Sequence, residues 1–228
     1  MPAQNQLKAA AAEAAAALVA EGMIVGLGSG STAALAVNAL GKRVKDGLRI
    51  TGIPTSEHTA VQARALGIPL STLAEHTHID VTIDGADEVE RGTLNLIKGH
   101  GGALLREKII ASASARLIVV VDESKLVERL GTHFAVPVEV VPFGWQATAV
   151  RLNEMGAHPS LRLAPDGREF VSDGGHYILD CAFGPISTPG ALARELDSVV
   201  GLVEHGLFLG LTSQVIVGSA DGVKTFAR

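Results

Sequence analysis

The chain has 228 residues, of which 47% are hydrophobic, 19% charged and 4% aromatic, with a formal net charge of −5. That apolar content excludes intrinsic disorder. The acidic balance argues against a general nucleic-acid binder, though not against a local basic site for an anionic metabolite. At roughly 100–200 residues per domain, the length fits one domain or a large domain with a smaller companion. The single cysteine, Cys181, allows no internal disulfide and no structural zinc site, so a reducing compartment is expected. Met1 to Ala20 is alanine-rich but carries Lys8 and Glu13, and lacks the basic-then-leucine-rich order of a signal peptide. No run of about 20 uncharged apolar residues reads as a transmembrane helix. The expectation is a cytoplasmic protein with neither membrane nor nucleic acid as partner.

In chain order, Gln6 to Ala20 is rich in helix formers and Gly22 stops it. Met23 to Gly26 is a short buried strand, followed by a glycine-rich turn and a helix over Thr32 to Lys45. Arg49 to Pro54 is a second strand, and Ser56 opens a helix that ends at Gly67. Ile79 to Ile83 is a third strand, Gly102 to Ala115 a helix, and Leu117 to Val121 a fourth strand. Strands and helices in alternation imply a mostly parallel sheet with helices on both faces. Apolar runs without polar alternation suit strands buried on both sides. The texture changes near Gly131. Val136 to Pro142 has β character, Gln146 to Met155 is helical, and Leu161 to Asp180 holds two strands with an Asp166-Gly167 hairpin signal. A helix follows over Pro189 to Val199, and Gln214 to Gly218 is an apolar β run that returns to the first sheet. The fold class is therefore α/β: a Rossmann-like parallel-sheet domain over residues 1–130 and 207–228, with a smaller α+β domain over 131–206.

Three segments carry chemistry. Gly26-Leu27-Gly28-Ser29-Gly30-Ser31-Thr32 joins a strand to a helix. Glycines there let the backbone approach an anion, and the helix start supplies N–H groups and a positive dipole end. The plainer alternative is a tight turn with a hydroxyl cap. Ser31 occupies the third glycine position of a dinucleotide fingerprint, and no Gly-Lys-Ser/Thr follows as in a Walker A loop. Asp84-Gly85-Ala86-Asp87-Glu88 lies at the carboxyl end of a strand, where ligands bind in open α/β sheets. Its two aspartates could hold sugar hydroxyls or exchange protons with them, or merely cap a turn. Leu94 to Lys108 holds Lys98, a second glycine loop and, on the next helix, Glu107 about a turn and a half inside. Glu107 is a general-base candidate if apolar surroundings raise its pKa; the alternative is a surface ion pair with Arg106 or Lys108. Lys125 and Lys8 are further candidate phosphate cations.

Taken together these motifs are recognisable. Gly28 to Thr32, Thr55-Ser56, Ile83 to Glu88, Lys98-Gly99 through Arg106-Glu107-Lys108, Asp122 to Lys125 and Pro137 to Val140 occur in that order, with Asp221 to Thr225 near the end. The chain resembles the A-type ribose-5-phosphate isomerase family over nearly its whole length. The resemblance implies interconversion of D-ribose 5-phosphate and D-ribulose 5-phosphate through a cis-enediolate, in the non-oxidative pentose phosphate pathway, with no metal and no organic cofactor. It makes Glu107 the general base, Asp84 and Asp87 the acidic pair serving the sugar oxygens, and Lys98 the cation beside the enediolate. Ser29, Gly30, Ser31 and Thr32 match the substrate loop. Gly85, Ala86, Gly99, His100 and Gly101 match its neighbours around the sugar, and Lys125 and Lys8 match basic positions near the anion. The family's members are commonly dimers or tetramers, so a homodimer or homotetramer is implied. One departure stands out: His100 interrupts what is typically an unbroken glycine run. A positive φ there would cost a histidine about 1 kcal/mol, and the expectation is that the ring points to solvent.

Two other functions compete with an isomerase. A phosphosugar-sensing module would need a DNA-binding segment, for which the N-terminus leaves no room, and could dispense with Glu107 and Lys98. A nicotinamide-dependent dehydrogenase would need an acidic ribose ligand about 20 residues beyond the glycines, where Arg49 to Pro54 leads only to Thr55.

Overall fold

The computed structural model describes residues 4–228; the first three residues, including the start of the segment read for a signal peptide, lie outside the described residues. The first half of the chain runs α1 (Gln4–Ala16), β1 (Ile24–Leu27), α2 (Ser31–Lys45), β2 (Thr51–Pro54), α3 (Glu57–Ala65) and β3 (Val81–Asp84). Then come β4 (Glu88–Glu90), β5 (Leu96–Ile97), α4 (Leu104–Ser112), β6 (Leu117–Asp122) and β7 (Leu126–Val127). The remainder is β8 (Val136–Val140), α5 (Trp145–Glu154), β9 (Pro159–Leu161), β10 (Tyr177–Cys181), α6 (Pro189–Asp197), β11 (Leu202–His205), β12 (Leu207–Phe208), β13 (Thr212–Ser219) and β14 (Gly222–Ala227). Among the described residues no helix is long and apolar enough to cross a membrane.

The chain divides into two compact units. The first gathers the chain up to Ala86, Arg106–Leu126 and Leu211–Arg228. Its six-stranded sheet has the order β14-β13-β6-β3-β1-β2, parallel except for the β13–β14 hairpin. The run expected to return to the first sheet is thus β13, which does so and pairs parallel to β6. All six residues of β6 are buried, which is why its sequence is a plain apolar run. Val25, Leu27, Val81, Ile83, Ile118 and Val120 alternate along their strands and share one core with alanines 11, 12, 15 and 16 of α1 and with Val37 and Leu40 of α2. The other face meets α4: a Cβ on Gly26 would lie 1.8 Å from Thr82 Oγ1 and 2.8 Å from Ile110 Cγ2. Helix α1 ends at Ala16 rather than Ala20 because Arg43 donates to the carbonyls of Ala16 and Val19 and closes the helix end there. Helix α3 starts as expected at its Ser56 cap, whose hydroxyl accepts from Thr59 N at 3.1 Å.

The second unit gathers Asp87–Leu105 and Val127–Gly210. Residues 87–105, expected with the larger domain, group here because β5 pairs with both β4 and β12. A four-stranded sheet of order β11-β8-β10-β9 is antiparallel throughout. The Asp166-Gly167 signal is a tight turn, with Gly167 at φ 82° and Ala164 N donating to Arg168 O at 2.8 Å. Val136, Val138 and Val140 of β8 face a core with Leu152, Leu179, Leu196 and Cys181. Burial pushes the Cys181 thiol up to about 12, helped by the charge of Asp180. Titration of the folded protein with a thiol-disulfide reagent at pH 8 should leave Cys181 unmodified, with full reaction only after denaturation. Stoichiometric labelling of the native protein would contradict that.

Candidate active site

The parallel strands of the first unit end on one edge of its sheet. The chain leaves β1 for β2 on one side, while β3 pairs on the other side of β1. The crevice beyond β1 and β3 is therefore a topological switch point, where open α/β sheets bind ligands. Both Gly28 and Asp84 sit there. Asp84 is 1% exposed, and its Oδ1 accepts from Ser29 N at 3.0 Å and from Gly85 N at 2.8 Å. Two backbone donors thus set the plane of that carboxylate. Gly28 has no room for a side chain, since a Cβ would lie 2.2 Å from Asp84 Oδ1. The Ser29 hydroxyl sits 2.7 Å from Thr55 Oγ1 and Ser56 Oγ and 3.1 Å from Thr59 Oγ1. Ser29 therefore supports Asp84 through its backbone and ties the loop to the end of β2 through its side chain.

Gly30 caps α2 with φ 94° and no side-chain hydrogen bond, so the helix start keeps its polar N–H groups for another acceptor. Ser31 is exposed and Thr32 buried at this start. Lys8 comes to the same place. Its Nζ lies 3.3 Å from Ser31 Oγ and 3.9 Å from Asp122 Oδ2, and its side chain is only 14% exposed. Asp122 caps the turn Glu123–Lys125 that carries Lys125. Burial would raise the Asp122 carboxyl, but hydrogen bonds from Ser124 and Gln4 and the charge of Lys8 hold it below the usual carboxylate range. Gly85 and Ala86 continue half-buried from β3.

Glu107 lies in the first turn of α4, not a turn and a half inside, because the helix starts at Leu104. The delay has a local cause: Gly102 N bonds Gly99 O at 2.9 Å and Gly102 has φ 81°, outside the helical range. Glu107 is 5% exposed, so it is not a surface residue, and Arg106 pairs with Glu57 at 2.9 Å.

The remaining candidates belong to the second unit. Lys98 is 3% exposed, with Nζ 5.6 Å from the centre of the Phe208 ring and its backbone N bonded to Gly206 O at 2.9 Å. Asp87 Oδ2 accepts from His100 N at 3.0 Å. Positive φ falls on Gly99 and Gly102 and not on His100, so a histidine there carries no such cost. Gly101 is exposed. The His100 residue is exposed, yet its ring does not simply point to solvent. It stands edge-on to Phe134 at 4.8 Å, with Nε2 3.3 Å from Ala135 O. Residues 131–134 are in turn held by Glu88, a fully buried carboxylate accepting from the backbone N of Gly131, His133 and Phe134.

The family description "Ribose 5-phosphate isomerase A (phosphoriboisomerase A)" matches residues 51–222. The chain belongs to the ribose-5-phosphate isomerase A family. Within that family it is 60% identical to ribose-5-phosphate isomerase A of Gloeobacter violaceus, over 96% of this chain and 94% of that one. The Synechococcus protein of the same name is 54% identical, with 100% of both chains covered. The solved ribose-5-phosphate isomerase A of Methanocaldococcus jannaschii superposes with TM-score 0.95 at 42% identity, covering 99% of this chain and 100% of that one. A solved D-ribose-5-phosphate isomerase in complex with phospho-erythronic acid gives TM-score 0.96 at 38% identity, with 100% of both chains covered. The family motifs account for the residues named from sequence. They include Glu88 without giving it a role, and they do not point to Thr59, whose hydroxyl donates to Gly28 O 31 residues away in the chain. Glu88 is one of two charged residues in a strand the fold buries throughout, and its backbone partners begin 43 residues away.

Proposed function

We propose that the protein interconverts D-ribose 5-phosphate and D-ribulose 5-phosphate. The observation that carries this reading is Glu107, a carboxylate held at 5% exposure just after the second glycine loop. Aldose and ketose are isomers, so one proton moves from C2 to C1 and another between the two oxygens. Starting from the aldose, the Glu107 carboxylate takes the C2 proton, and the C2–H electrons form the C1–C2 double bond of a cis-enediolate. Negative charge then gathers on O1, where the Lys98 ammonium opposes it. The proton held by Glu107 returns to C1, while Asp84 and Asp87 exchange protons with O1 and O2. The open start of α2 with Lys8, Ser31 and Thr32, together with Lys125, takes the phosphate. Gly30, Gly85, Ala86, Gly99, His100 and Gly101 line the sugar.

The ligand of the phospho-erythronic acid complex supports this reading, because it is a phosphorylated sugar acid, chemically close to an aldose phosphate. Two separate cores support a two-domain organisation in which an α/β domain carries most of the chemistry. A cytoplasmic homodimer or homotetramer working in the non-oxidative pentose phosphate pathway completes the proposal. The test is a coupled assay with ribose 5-phosphate in the presence of chelator. Turnover that persists is expected; no turnover, or turnover lost only with chelator, would overturn the metal-free scheme.

A further inference from the structure

We infer that Arg162, which lies in neither glycine loop, is the positioning residue that fixes the Gly99–Gly101 backbone for the substrate. This inference rests on the functional reading above, in which that loop lines the sugar. Arg162 follows β9, and its side chain is 12% exposed. Its Nη1 donates to Gly99 O at 2.8 Å and to His100 O at 3.1 Å. The rest of the fork is spent on one carboxylate, with Nε donating to Asp180 Oδ2 at 2.9 Å and Nη2 to Asp180 Oδ1. The guanidinium carbon also lies 5.9 Å from the centre of the Phe170 ring. Asp180 and Phe170 thus aim the fork, and the fork holds two consecutive carbonyls.

The Gly99–His100 peptide is consequently pinned at both ends. Arg162 takes its carbonyl, and Asp87 Oδ2 takes its N–H at 3.0 Å. Because a trans peptide is planar, holding the His100 carbonyl on Arg162 turns the Gly101 N–H away from the guanidinium. A cation against both carbonyls also polarises these peptides, which strengthens the donor on their far side. Phe170 adds a steric stop, since a Cβ on Gly102 would lie 2.3 Å from its Cζ. A glycine-rich segment would otherwise sample many conformations. The brace explains how it can keep one without a side chain of its own.

The test compares Arg162→Ala, Arg162→Lys and Asp180→Asn with the wild-type protein. It measures kcat and KM for ribose 5-phosphate, thermal unfolding, and hydrogen exchange of the His100 and Gly102 amides. Misplacing a binding loop by about 1 Å costs about 100-fold, and a loss of that size in kcat/KM is expected for Arg162→Ala, with faster exchange at both amides. Arg162→Lys keeps the charge but not the fork, so it should restore only part of the loss. Guanidinium ion at millimolar concentration should rescue Arg162→Ala, while the same concentration of sodium chloride should not. Wild-type kcat/KM in Arg162→Ala would overturn the inference, as would a loss without faster loop exchange or guanidinium rescue. Should Arg162→Ala fail to fold, Arg162→Lys and Asp180→Asn decide by the same readouts. A wild-type protein that does not turn over ribose 5-phosphate would defeat the functional reading instead. Amide exchange in the variants would then still decide whether Arg162 holds the loop.

Discussion

Glu107→Gln is expected to lower kcat for ribose 5-phosphate by about 1,000-fold, in the middle of the range for loss of a general base. The affinity for the phosphosugar should stay close to wild type. Glutamine keeps the shape and hydrogen-bonding reach of the side chain but cannot accept a proton from carbon. Glu107 is buried in the first turn of α4, so the substitution leaves no exposed surface to rearrange and replaces a charge by an isostere. Initial rates and calorimetric titration with the product separate the two quantities. Retained turnover would remove Glu107 from the role of base. A parallel loss of binding would mean that it holds the sugar rather than moves its proton.

Gly28→Ala should be the most damaging glycine substitution in the first unit's ligand crevice. The new methyl would lie 2.2 Å from Asp84 Oδ1, 2.4 Å from Cγ and 2.5 Å from the backbone Cα. Neither side can yield cheaply, because Ser29 N and Gly85 N both hold the same carboxylate oxygen. Overpacking of this kind costs about 1–3 kcal/mol in stability, and a displaced Asp84 should cost about 100-fold in kcat/KM. Gly190→Ala in α6 is the matched control. Nothing lies within 3.8 Å of its new methyl, and alanine favours the helix by up to about 1 kcal/mol. Thermal unfolding and steady-state kinetics on both variants check the contrast. Wild-type kinetics in Gly28→Ala would show that Asp84 is not fixed as described.

The alternation of strand and helix was legible because parallel strands buried on both faces leave unbroken apolar runs, as β6 does. Strand β14 left no such mark, since all six of its residues are exposed. The candidate groups of the proposed reaction were legible where they are local: Asp84 with its glycine neighbours, Lys98 before its loop, Glu107 on the following helix. What stayed hidden is what holds those groups. The early end of α1 depends on Arg43, the rigidity of Asp84 on Ser29, and the shape of the second glycine loop on Arg162. In each case the partner lies more than 25 residues away, beyond the reach of periodicity or a motif. His100 shows the same limit. Its place in a glycine run suggested strain or solvent, but Phe134 and Ala135, which receive its ring, are more than 30 residues further on.

The seating of α1 bears on how the molecule is made. Gly218 of β13 lacks a side chain where a Cβ would stand 1.9 Å from the Leu7 carbonyl oxygen, so the first helix rests directly on one of the last strands. Lys8 is the next residue, and it reaches the start of α2 from that seat. During synthesis α1 can meet α2 and β6 well before β13 emerges, so only the Gly218 part of its seat is completed late. Such a long-range closure slows folding, and it makes a release of β13 and β14 a way to unseat Lys8, the candidate phosphate cation, without touching another residue of the candidate site.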